Sequence, residues 1–190
     1  MTTWSFKPGV AVLALLALSA CEEGSDPFAG LSKAPLTQAR MMQGAVTLVP
    51  PQGFCIDPKT LNQSFALMAR CDVMGADTGS AGAPLGVMTV SFTKAASGAA
   101  LPSATDITAA GSFGEPESLR RRDDRVIFRT TGVPPSSDLD SRHWRAVARV
   151  GTYLLGAALF GPEGQRAVTG EGAEVLEDLI QRTAAKTEEG

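Results

Sequence analysis

Trp144-Arg145-Ala146-Val147-Ala148-Arg149-Val150-Gly151-Thr152-Tyr153-Leu154-Leu155-Gly156-Ala157-Ala158-Leu159-Phe160 is the stretch that decides the fold. Trp144 to Val150 and Tyr153 to Phe160 are two strand-forming runs, split by Gly151-Thr152, a two-residue hairpin signal. Gly161-Pro162-Glu163-Gly164 ends the second run. From about Gly170 the apolar period changes to that of a helix. Ala173, Leu176, Leu179, Ile180 and Thr183 share one face, and Glu174, Glu177, Asp178 and Gln181 fall on the other. Acids early and Arg182 and Lys186 late suit the helix dipole. A hairpin followed by an amphipathic helix predicts a helix packed on a sheet.

Working upstream, Val126 to Thr130 reads as a strand, and Pro134-Pro135 as a loop before the hairpin. Leu85 to Thr93 is a β-prone run, and Phe65 to Cys71 another, with Phe65, Leu67 and Ala69 on one face. Ala45 to Val49 alternates into Pro50-Pro51-Gln52-Gly53, a turn from which Phe54 to Asp57 is expected to run back as the second half of an opening hairpin. Residues 75–84 read as a loop. Ser103 followed by Asp106 resembles a capping box and predicts a short helix near 104–110. The fold class is therefore α+β: a mostly antiparallel sheet of six or seven strands with the C-terminal amphipathic helix packed on it.

The amino terminus carries a different signal. Residues 1–9 hold Lys7 and no acid, and an apolar run follows from Val10 to Ala20, ending in Leu18-Ser19-Ala20-Cys21. A spanning helix needs about 20 apolar residues, so this run fits the core of a cleaved leader. The pattern resembles the lipobox of bacterial lipoproteins. The resemblance implies a signal peptide over 1–20, cleavage before Cys21, lipidation (palmitate) of that cysteine, and a periplasm-facing place in the cell envelope. The alternative is an ordinary secretory signal cut at Ala20. Glu22 is not the aspartate that retains such proteins at the inner membrane, so the same resemblance favours the outer membrane. Residues 22 to about 40 are polar and punctuated by Gly and Pro, which reads as a tether spanning roughly 25 Å. The lipidated terminus and tether are thus expected over 21–43, and a single α+β domain over 44–187.

Removing residues 1–20 takes away Lys7 and no acid, leaving 16 basic against 20 acidic side chains, a net charge of −4. Mild acidity argues against nucleic acid and against a basic membrane-binding patch. With Cys21 assigned to lipid, Cys55 and Cys71 remain of the three cysteines. In an oxidising compartment they are expected to pair, closing a loop of about 16 residues worth roughly 3 kcal/mol; two buried thiols are the alternative.

An opening hairpin ending in Pro51-Gln52-Gly53-Phe54, Trp144 on the first strand of a late hairpin, Tyr153-Leu154-Leu155 on the second, and a closing helix over 170–186 resemble the PsbP-type sandwich. That fold also occurs in bacterial lipoproteins similar to DcrB. The resemblance spans about 44–186 and implies a non-catalytic accessory or binding module. The Cys55/Cys71 pair and the 75–84 loop are not part of that pattern.

Chemical motifs are few. The chain holds neither a P-loop nor a Gly-x-Ser-x-Gly elbow, and a single histidine leaves little for a metal site. No catalytic residue, metal or cofactor is expected. The remaining enzymatic reading is a hydrolase in which Asp140 orients His143; a solvated histidine at a loop-to-strand junction is the simpler one. Arg120, Arg121, Arg122 and Arg125, interleaved with Asp123 and Asp124, could meet an anionic headgroup or a peptidoglycan carboxylate through bidentate contacts. Their simpler reading is a solvated turn. Glu115 and Glu117 around Pro116 read as an exposed loop, and Met41, Met42, Met68, Met74 and Met88 as packing residues. The expected protein is a lipid-anchored, non-enzymatic module whose partner is an envelope protein or a small ligand. A structural linker to peptidoglycan or an outer-membrane complex is the alternative.

Overall fold

The structure is a computed structural model describing residues 34–76, 80, 82–96 and 98–190. In chain order its elements are β1 (Ala39–Met41), β2 (Val46–Leu48), β3 (Phe54–Ile56), β4 (Phe65–Arg70), β5 (Val87–Lys94), α1 (Ala104–Gly111), β6 (Glu117–Arg121), β7 (Arg125–Thr131), β8 (Arg142–Val150), β9 (Tyr153–Phe160) and α2 (Gly170–Glu188). Seven strands form one sheet in the order β3-β4-β5-β9-β8-β7-β6, and every neighbouring pair is antiparallel. The α+β class and the C-terminal helix follow the expectation. The β8–β9 hairpin forms with Val150 opposite Tyr153 across Gly151-Thr152, and it lies inside the sheet, between β7 and β5.

Strand alternation sends successive side chains to opposite faces. On one face Met68, Met88, Val90, Ile127, Trp144, Ala146, Ala148, Leu155 and Leu159 meet Ala173, Leu176, Leu179 and Ile180 of α2 in a single buried cluster. The helix face read from the sequence is the buried one, Thr183 included. Trp144 Nε1 donates to the Thr169 carbonyl at 2.6 Å. Gly172 lies so close that an added Cβ would overlap the Ala167 carbonyl and the Trp144 ring. On the other face α1 packs its Ala104 and Ile107 against Val126 and Phe128 of β7. The capping box forms: Ser103 Oγ accepts from the Asp106 backbone at 3.1 Å, and Asp106 Oδ2 accepts from the Ser103 backbone at 3.0 Å.

The opening hairpin is not formed. β2 pairs with β1, in a separate two-stranded ribbon, and β3 pairs with β4. The physical reason lies in α2, whose side chains take up the backbone of this segment. Thr187 Oγ1 accepts from Thr47 N at 3.1 Å, Thr183 Oγ1 from Val49 N at 3.2 Å, and Asp178 Oδ2 from Gln52 N at 2.9 Å. Thr183 Oγ1 also donates to the Val49 carbonyl at 3.2 Å. The tether expected over 21–43 is corrected at its end too. Ala39 and Met41 are buried, Met41 completely, and Leu36 bridges Ile56, so the fold takes in residues well before 44. Residues 1–33, where the leader and the lipidated Cys21 are expected, lie outside the described residues.

Candidate functional site

His143 was the one residue from which a hydrolase could be argued, and its surroundings do not supply one. Its side chain is completely buried on the face opposite α2, stacked on Phe160 at 4.2 Å between ring centroids and edge-on to Phe113 at 5.7 Å. Asp140 is turned to Arg142, accepting from its backbone at 2.9 Å and from its guanidinium Nη2 at 3.1 Å. Burial pushes the Asp140 carboxyl up, but these Arg142 contacts together bring it below the usual carboxylate range. His143 Nδ1 instead lies 2.9 Å from the Ser141 carbonyl, and Nε2 accepts from Arg145 Nε at 2.9 Å. A carbonyl on one nitrogen and an N–H donor on the other assign the neutral tautomer protonated at Nδ1. Burial, then the Arg145 charge, holds the imidazole below its ordinary range, against the opposing pull of the Ser141 carbonyl. Both ring nitrogens are committed, so the Asp140–His143 relay is overturned.

Arg145 follows on the same face. Its guanidinium carbon stands 3.6 Å over the Phe113 ring centroid, a cation–π contact. Desolvation lowers its pKa to about 10, which leaves it charged at neutral pH.

The arginine run divides. Arg125 is largely enclosed, with Nε 3.3 Å from Asp124 and Nη1 3.4 Å from Glu177 of α2. Its place is structural, tying β7 to the helix. Arg120 and Arg121 belong to β6, an edge strand exposed along its whole length, so the run is not simply a turn. Arg121 and Arg122, with Arg149 of β8, line a cavity of about 550 Å³ beside Ala99, Leu101 and Asp123. Arg149 Nη2 donates to the Ala99 carbonyl at 2.6 Å, and Arg122 lies 3.9 Å from Glu177. Sequence reasoning missed Arg145, Arg149 and Phe113. The alternation of His143, Arg145 and Arg149 with Trp144, Ala146, Ala148 and Val150 was the available signal for the two arginines; Phe113 had none.

The other candidates are accounted for by packing. Cys55 and Cys71 have Cα atoms 4.9 Å apart, within the span a disulfide requires, at the β3 edge. Met41, Met68 and Met88 are fully buried in the α2-side core. Glu117 opens β6 and pairs with Arg129 at 3.0 Å. Among the described residues no group of three or more His, Cys, Asp or Glu is placed to hold a metal ion, and no helix is long and apolar enough to cross a membrane.

Fold and site together describe an α+β domain with one sheet face closed by α2 and the other carrying His143, Arg145 and Arg149. No protein-family model and no curated protein matches the chain. Among solved structures it is similar to the solution structure of cyanobacterial PsbP (CyanoP) from Synechocystis sp. PCC 6803, at 14% identity and a TM-score of 0.40, over 81% of this chain and 94% of that one.

Proposed function

We propose that the protein is a lipid-anchored, non-catalytic module of the cell envelope that meets its partner at its surface. Leu18-Ser19-Ala20-Cys21 supports cleavage before Cys21, its lipidation, and a periplasm-facing position; Glu22 favours the outer membrane. Cys55 and Cys71 pair in that oxidising compartment. The observation that carries surface recognition is the filled interior. An apolar concavity between sheet and helix would take a small ligand into the interior, and that space is occupied by Trp144, Leu155, Leu159, Leu176 and Leu179, each no more than 1% exposed. Metabolic labelling with palmitate tests the anchor: incorporation is expected in the intact protein and lost in Cys21→Ala. Labelling that persists in the variant removes the anchor from this reading.

A second reading, a linker to peptidoglycan or to an outer-membrane complex, draws on the Arg121–Arg122–Arg149 cavity, where planar guanidinium groups suit carboxylates. Crosslinking in cells, with and without reversal of Arg121 and Arg122 to Glu, separates it. Loss of the crosslinked partner in the reversed variant supports the linker; an unchanged pattern sinks it.

A further inference from the structure

The most unusual group on the face opposite α2 is Arg145, because it is fixed in place and has no acid. A half-buried charge without a counter-ion is costly, and proteins ordinarily pair such groups. Arg145 is held at two points, by Nε donating to His143 Nε2 at 2.9 Å and by the Phe113 ring under its guanidinium carbon at 3.6 Å. Its brace is rigid in turn, since His143 is itself completely buried, stacked on Phe160 and bonded to the Ser141 carbonyl. Among the described residues, neither Nη group has a hydrogen-bond partner and no carboxylate forms an ion pair with it. Desolvation alone accounts for its lowered pKa, with no carboxylate raising it.

The register places Arg145 in a row running Phe128, Arg145, Ala158, Thr89 and Leu67 across four strand pairings. The next row contains Val147, Gly156, Ser91 and Phe65. Strand side chains on this face include Arg121, Arg145 and Arg149 and no acid. Beside Arg145 are therefore Ala158 and the half-exposed Val147, and the sheet continues past Gly156 and Thr89 to the half-exposed Leu67 and Phe65 three strands away.

We infer that Arg145 is the anchor of an anion site on this face, taking a small amphipathic monocarboxylate whose apolar body lies along the sheet. One guanidinium offsets one charge, which favours a carboxylate over a dianionic phosphate, and the two Nη groups present the fork that a carboxylate accepts. His143 is a positioning residue: it aims the fork and touches no ligand. This site is distinct from the Arg121–Arg122–Arg149 cavity and does not depend on the lipid anchor.

The test is a titration of the full chain with hexanoate, followed by the Arg145 Nε–H resonance, with hexanamide and inorganic phosphate as comparison probes. Hexanoate is expected to move that resonance saturably and hexanamide to leave it still. Arg145→Gln is expected to weaken hexanoate binding roughly ten- to a hundredfold, whereas Arg149→Gln changes it by no more than about twofold, as a screened, distant charge. Should Arg145→Gln fail to fold, Arg145→Lys retains the charge without the fork and is expected to weaken binding several-fold. The resonance of the unaltered protein reports independently of any variant. An equal response to hexanamide, phosphate binding as tight as hexanoate, unchanged affinity in a folded Arg145 variant, or no movement of the resonance each overturns the inference.

Discussion

Leu154 and Leu155 are neighbours on β9, yet they belong to different environments. Leu155 is fully buried under α2, in a cluster that takes in Trp144, Leu176 and Ile180. Leu154 points to the opposite face, where α1 covers β7 and its neighbour remains half-exposed. The α2 face is a closed apolar layer. Its counterpart carries Arg145, Arg149 and a buried histidine, polar groups that one-sided coverage tolerates. The difference teaches that one sheet can seal an apolar core on one side and leave the other partly open to solvent.

The comparison predicts a large asymmetry. Leu155→Ala is expected to cost about 2–5 kcal/mol, the range for emptying a sealed core position, and Leu154→Ala roughly half of that or less, because solvent already reaches it. Equal losses in chemical denaturation would erase the distinction between faces. Next in size, replacing both Cys55 and Cys71 by Ala should cost about 3 kcal/mol, from the loop of separation 16 that the pair closes. A midpoint unchanged from the oxidised parent rules the bridge out. Within α2, glycine substitutions should differ in sign. Gly172→Ala is expected to destabilise by about 1–3 kcal/mol through collision with Trp144 and the Ala167 carbonyl, overriding its better helix propensity. Gly170→Ala meets nothing within 4 Å and should be neutral or stabilising by up to about 1 kcal/mol.

The smallest effect belongs to the other face and is read against pH. Folding holds the His143 imidazole below its ordinary value, so the unfolded chain binds more protons once pH drops below about 6.5. Stability from this group is complete above about pH 7 and declines as pH falls through about 6.5. Asp72, at about 2 beside the Arg70 guanidinium, and Asp106, lowered first by the Ser103 side chain, add their losses only further down, as the unfolded carboxylates near 3.9 take up protons. His143 is the sole histidine in the chain, so thermal melts of His143→Gln should be flat over that window. A variant that keeps the parent slope shows that the buried imidazole is not its source.

Legibility followed the range of the interactions. The β8–β9 hairpin, the buried face of α2 and the Ser103–Asp106 cap are set by neighbours within a few positions, and each forms as read. The opening segment did not. Nothing in Val46–Gly53 announces that Thr183 and Asp178, more than a hundred positions later, will take its backbone hydrogen bonds. β6 was hidden because its five exposed residues lack apolar alternation, and its bulge near Ser118 interrupts the register. Phe65, Leu67 and Ala69 were correctly grouped, but which face would be sealed depends on where α2 lands.

The sequence by itself determined the α+β class, the central hairpin and the terminal helix, because periodicity and short motifs are local properties of the chain. Only the tertiary structure decided that Asp140 would turn to Arg142, that His143 would be sealed between Phe113 and Phe160, and that Arg145 would stand braced without an acid. Those outcomes depend on which groups burial brings together and which it deprives of water, and spacing along the chain encodes neither.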